Sequence, residues 1–146
     1  MNAFSGAGAI ALVGVLIIAI AWALIDRRRS GRFRKSADYL EWEHRLGEQL
    51  GRDATFVQFS SAFCAPCRAT RLILEGVAQE DPAIKHIEID AESHLDLVRE
   101  LGILSTPTTI VLDREGKTVA RSVGAPRRDQ VRLLLQGIRN SQSSEE

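Results

Sequence analysis

The sequence predicts an α/β domain, a mixed central sheet flanked by helices, preceded by one N-terminal transmembrane helix. Three observations carry this expectation. Residues 6–25 form a 20-residue run without a charge. Beyond it, period-two and helical apolar patterns follow one another in the order β-α-β-α-β-β-α. Where the first strand pattern gives way to a helical one stands Cys64-Ala65-Pro66-Cys67, and these are the only two cysteines.

The apolar run divides the chain into a tail (1–5), a membrane-spanning helix (6–25), a basic juxtamembrane linker (26–37), a folded domain (38–140) and a disordered polar tail (141–146). At about 1.5 Å per residue, such a helix crosses a hydrocarbon core of about 30 Å. Trp22 near its end suits the headgroup level. A cleaved signal peptide is the competing reading; it lacks a basic leading segment, and arginines crowd any cleavage point near Ala19 or Ala21. No Lys or Arg precedes the run, whereas Arg27, Arg28, Arg29, Arg32, Arg34 and Lys35 follow it. The positive-inside rule therefore places the N-terminus outside and the domain in the cytoplasm. Through Lys35 there are six basic residues against one acidic; the remainder carries 13 against 18, a mildly acidic surface with no nucleic-acid footprint.

Within the domain, Tyr39, Trp42, Leu46 and Leu50 recur at helical spacing and predict a helix over 38–50. Gly51-Arg52-Asp53 breaks it, and Thr55 to Phe59 reads as a buried strand. A helix begins near Pro66 and ends before Asp81-Pro82, with Leu72, Leu74 and Val77 along it. Ile84 to Ile89 is a second strand. Ser93-x-x-Asp96 has capping-box spacing and opens a helix closed by Gly102. Thr108 to Leu112 is the third strand. Asp113-Arg114-Glu115-Gly116 suits a type I turn, which returns Thr118 to Val123 antiparallel. Val131, Leu134, Leu135 and Ile138 define a last helix over 128–138.

Two thiols three residues apart on the first turn of a helix can close a small disulfide. The helix N-terminus favours a thiolate on the first, and the thiolate is the nucleophile of disulfide exchange. The alternative is half of a zinc site, but His44, His86 and His94 have no paired spacing, so neither metal nor cofactor is expected.

Val57-Gln58-Phe59 followed by Phe63-Cys64-Ala65-Pro66-Cys67-Arg68, then Leu101-Gly102-Ile103, Thr106-Pro107-Thr108, Asp113 to Gly116 and Val123-Gly124, together resemble the thioredoxin family over residues 46–139. The resemblance implies a thioredoxin-like fold and thiol–disulfide exchange. Cys64 would attack and Cys67 resolve, their redox-active disulfide serving in place of a cofactor. Pro107 would be cis and face the cysteines, leaving the Thr106 backbone to pair with substrate. Phe63, Ala65 and Pro66 would complete the substrate-binding surface, Phe63 replacing the family's usual tryptophan. Gln58 stands where the family commonly has a buried Asp, and His86 where its lysine neighbour lies. These two are the proton-transfer candidates, acting through water because an amide cannot take a proton. Arg68 and Arg71 read as a solvated helix face.

The leading expectation is a membrane-tethered protein-disulfide reductase, supplied by an upstream thiol donor or reductase and held in the lipid bilayer by residues 6–25. Two alternatives stay open: an extracytoplasmic thiol reductase serving cytochrome c maturation or secreted proteins, and a non-enzymatic redox-sensing module.

Overall fold

A computed structural model describes residues 3–29, 33–35 and 42–144, with side chains described over 11–25, at Phe33 and over 42–144. The chain divides into two units, residues 1–30 and 31–146. The first contains one continuous helix, α1 (Ala3–Arg29), extending past both ends of the expected span. Of its described side chains, Leu12, Leu16, Ile17, Ile18 and Trp22 are more than half exposed. Among the described residues no helix is long and apolar enough to cross a membrane.

In the second unit the alternation of apolar residues builds one five-stranded mixed sheet. Its strands are β1 (Arg34–Lys35), β2 (Ala54–Ser60), β3 (Ile84–Asp90), β4 (Thr108–Asp113) and β5 (Thr118–Val123), in the spatial order β1-β5-β4-β2-β3. β2 is an interior strand, parallel to β3 and antiparallel to β4. That position explains why all seven of its residues are buried. The β4–β5 hairpin is antiparallel, as its turn residues predict: Asp113 Oδ1 accepts from the N–H groups of Glu115 and Lys117, and Gly116 takes φ +77°.

Period two sends even-numbered β2 residues to one face and odd-numbered ones to the other. Ala54 and Phe56 pack with Leu74 and Val77 of α3 (Ala65–Glu80) and with Val131, Leu135 and Ile138 of α5 (Arg128–Ser143). Val57 and Phe59 pack with Trp42 and Leu46 of α2 (Trp42–Leu46) and Leu97 of α4 (Leu95–Glu100). Helices thus cover both faces, as expected.

The structure differs from the sequence reading at four places. The helix expected over 38–50 ends at Leu46, because Gly47 adopts φ +64° and donates back to Glu43 O; residues 38–41 lie outside the described part. Ser93 does not cap α4. Its hydroxyl donates instead to Asp90 Oδ2 at 2.5 Å, and His94 takes the N-cap position without a side-chain capping bond, its Nδ1 lying 3.0 Å from Asp90 O. The other end of α4 is as predicted: Gly102 (φ +57°) donates to Arg99 O while Ile103 donates to Val98 O, a paired C-terminal motif. Within the expected linker, Arg34 and Lys35 pair with Arg121 and Ala120 as an edge strand, and the Phe33 ring lies 6.3 Å from that of Phe56. Finally, the expected disordered tail is helical through Ser143. Its serines back-bond to carbonyls one turn earlier, and Gln142 Nε2 donates to Asp53 O at 3.0 Å; residues 145–146 lie outside the described part.

Candidate active site

The two cysteines sit where β2 ends and α3 begins. Cys64 is the N-cap of the 16-residue α3, in extended conformation, and Pro66 occupies the first turn, where its missing N–H costs no helical bond. Cys64 and Cys67 are joined as a disulfide with Cα atoms 5.2 Å apart. The two cysteines are not equivalent in access: Cys64 is half-buried and Cys67 only 2% exposed. The Cys67 N–H points at Cys64 Sγ from 3.2 Å. An N–H and a helix N-terminus aimed at one sulfur both favour negative charge there.

Around the disulfide, the expected substrate-contact residues have contrasting exposures. Phe63 is fully exposed, Ala65 and Pro66 are exposed, Thr106 is half-buried and Pro107 is buried. The Thr106–Pro107 bond is cis, as the resemblance implies. Thr108 pairs with Phe59 near the end of β2, and the Ser61 and Thr106 hydroxyls bond at 2.9 Å. The proline loop is therefore tied to the loop that carries the cysteines. Pro107 O accepts from Gly124 N–H, whereas among the described residues the Thr106 backbone has no hydrogen-bond partner.

Behind Cys67, Gln58 is completely buried and engaged at both ends. Its Nε2 donates to Cys67 O at 3.0 Å, and its Oε1 lies 3.1 Å from His86 Nε2. Since the amide nitrogen is the donor toward Cys67, Oε1 must accept, which makes His86 Nε2 the protonated ring nitrogen. Burial pushes the His86 pKa below its usual value, against the opposing pull of Glu75 and Glu88. The two proton-transfer candidates are thus brought together, with Gln58 linking the histidine to the helix that carries Cys67.

Sequence reasoning missed the rest of this wall. A groove of about 490 Å³ runs beside the disulfide, lined by Ser60, Ser61, Cys64, Cys67, Arg68, Arg71, Glu88 and Asp90 among others. Glu88 Oε1 accepts from Ser60 Oγ at 2.5 Å and from Arg71 Nη2 at 2.6 Å. Burial raises its pKa, but the bonds from Arg71 and Ser60 and the Arg71 charge outweigh that and leave it lowered. The available signal was β3's period two, which puts His86 and Glu88 on one face; the β2–β3 register makes that the face of Gln58. Leu104 was also missed; it is almost fully exposed in the loop leading to Thr106. Among the described residues, no three His, Cys, Asp or Glu side chains converge as a metal site.

A half-buried cysteine at a helix N-terminus, a buried partner cysteine and a cis-proline loop tied beside them agree with sequence comparison. The Thioredoxin family model matches residues 38–136. The chain belongs to the thioredoxin family. A thioredoxin from Chlamydia muridarum is 28% identical, over 62% of this chain and 87% of its own length. Thioredoxin H4-1 from Oryza sativa is 31% identical, over 58% of this chain and 64% of its own. Among solved structures, chloroplastic thioredoxin z superposes with a TM-score of 0.59 at 24% identity, covering 73% of this chain and 96% of that one. The thioredoxin of Fasciola hepatica gives 0.54 at 25%, covering 65% and 88%. The fold is thioredoxin-like, and the chain is a thiol–disulfide oxidoreductase of the thioredoxin type. The family acts on protein disulfides and is reduced in turn by a reductase.

Proposed function

We propose that the chain is a membrane-tethered disulfide reductase whose thioredoxin domain faces the cytoplasm, with Cys64 attacking and Cys67 resolving. The observation that carries the assignment of roles is the difference in burial between the two cysteines: Cys64 is half-buried, so a substrate disulfide reaches it from solvent, whereas Cys67 is 2% exposed. The reduced chain starts with a Cys64 thiolate held by the Cys67 N–H. Its attack forms a Cys64–substrate disulfide and expels the other substrate sulfur as a thiolate. Cys67 then attacks Cys64, the substrate leaves as a second thiol, and the chain is left in the disulfide form described above. Phe63, Ala65 and Pro66 provide the contact surface, and Thr106, free at its backbone beside Pro107, pairs with an extended substrate segment. Gln58 and His86 order the water through which the Cys67 proton leaves.

The tether rests on the uncharged run 6–25 of the sequence and on the exposure of the apolar side chains described within it. The orientation rests on the six basic residues that follow. Turnover of a model protein disulfide by the full chain in detergent, lost in Cys64→Ser, tests the chemistry; slow cycling without turnover would indicate a sensor. Thiol trapping in intact cells tests the placement. Labelling of the dithiol by a permeant alkylating reagent and not by an impermeant one is expected; labelling by both would move the domain outside.

A further inference from the structure

The resolving step needs a proton acceptor for Cys67. Gln58 cannot serve, because an amide does not take a proton near neutral pH. His86 is turned with its N–H toward Gln58, and burial disfavours its charged form. The groove beside the disulfide has two carboxylates in its lining, Glu88 and Asp90. Asp90 is exposed at the end of β3, its side chain bonded, among the described residues, only to its own following loop, through the Ser93 hydroxyl and the Glu92 N–H, whereas Glu88 is held by residues of the two elements that flank the cysteines. Glu88 is the register partner of Gln58 on the neighbouring strand, on the face covered by α3. Its side chain is 24% exposed, enough to meet groove water, and is held by Ser60 and Arg71.

We propose that Glu88 accepts the Cys67 proton through groove water. This rests on the reductase reading above. In the step, Cys67 gives its proton to water and that water gives one to the Glu88 carboxylate. The Cys67 sulfur bonds to Cys64 while the Cys64–substrate bond breaks, its electron pair leaving on the substrate sulfur. The proton returns from Glu88 through the same water to that thiolate. The chain's dithiol loses two electrons, and the substrate disulfide gains them. Ser60 and Arg71 position the carboxylate. The charged groups around it are Arg71 and Arg68 from α3, with Glu75 beside Arg71 and His86, and His86 and Asp90 from β3 itself.

The test is rapid mixing of the reduced full chain, in detergent, with the aromatic disulfide Ellman's reagent. The first coloured thiolate reports attack by Cys64, and the second reports resolution by Cys67. This leaving group needs no proton, so the second phase isolates deprotonation of Cys67. Glu88→Gln is expected to slow the second phase relative to the first by at least about tenfold. Its pH profile should become a simple rise with thiolate formation. Arg71→Gln breaks the same ion pair but keeps the carboxylate; the second phase should persist, with its acidic limb displaced to higher pH. An unchanged second phase in Glu88→Gln overturns the proposal. So do equal losses in both variants with no displacement, since that pattern marks a merely structural ion pair. If the wild-type chain releases no second thiolate at all, the reductase reading itself fails.

Discussion

Replacing Gln58 by Leu measures how far the site depends on its buried amide. The side chain is fully enclosed, and its two bonds run to Cys67 O and His86 Nε2. Cys67 O lies inside α3, where the helical ladder can still serve it, so losing that bond costs about 1 kcal/mol. The His86 N–H is left facing an apolar group, which costs a further 1–3 kcal/mol or so. Gln58→Leu should therefore destabilise the fold by about 2–4 kcal/mol, a large share of the roughly 5–15 kcal/mol that hold a domain together. The assay is urea unfolding of the full chain in detergent. It follows the fluorescence of Trp42, which is 1% exposed, in a Trp22→Phe background. With a slope of about 2 kcal/mol per molar urea, the midpoint should fall by about 1–2 M. Adding His86→Leu removes the stranded donor, so the double variant should be less damaged than the sum of the singles by at least about 0.5 kcal/mol. Strict additivity, or a midpoint within about 0.3 M of wild type at the slope above, would refute the reasoning.

Three more perturbations follow from the same structure. His86 has a folded-state pKa lowered by burial, so the unfolded chain binds more protons than the folded one as pH falls through the ordinary histidine range. Its contribution to stability is complete above about pH 6.5 and declines below it, toward the folded-state value. His86→Gln should flatten that part of the stability–pH curve; an unchanged slope in urea titrations at successive pH values would contradict this. Gly51 has no room for a side chain, since an added Cβ would lie 2.9 Å from both Ala83 O and Lys85 N, and closer still to Ala54 O. Gly51→Ala must displace backbone and should cost about 2–3 kcal/mol in urea unfolding. Gly102→Ala meets open space but strains φ +57°, and should cost about 1 kcal/mol. The reverse ranking would be inconsistent with these geometries.

What the sequence by itself determined is local. The spacing of Cys64 and Cys67, the proline on the first turn of α3, the period-two runs of β2 to β5, the Asp113–Gly116 turn and the Gly102 helix end are each set by residues within one or two turns of one another. Local sterics and hydrogen bonding are enough to specify them. Their joint pattern pointed to the fold and to the redox pair, and the resemblance supplied the cis bond at Pro107. What only the tertiary structure decided depends on pairing between distant segments. Two residues such as Arg34-Lys35 carry no period, so only the open edge of β5 makes them a strand. Ser93 had a partner in Asp90 that competed with the helix it was spaced to cap. The helix through Ser143 depends in part on the distant carbonyl of Asp53. At the site, Gln58 and His86 are 28 positions apart, and so are Ser60 and Glu88. Sheet register brings each pair to one face beneath α3, where Arg71 reaches Glu88. A carboxylate beside the buried cysteine could therefore be seen only once β2 and β3 were aligned, because register is set by the packing of a whole face and not by any residue's neighbours in the chain.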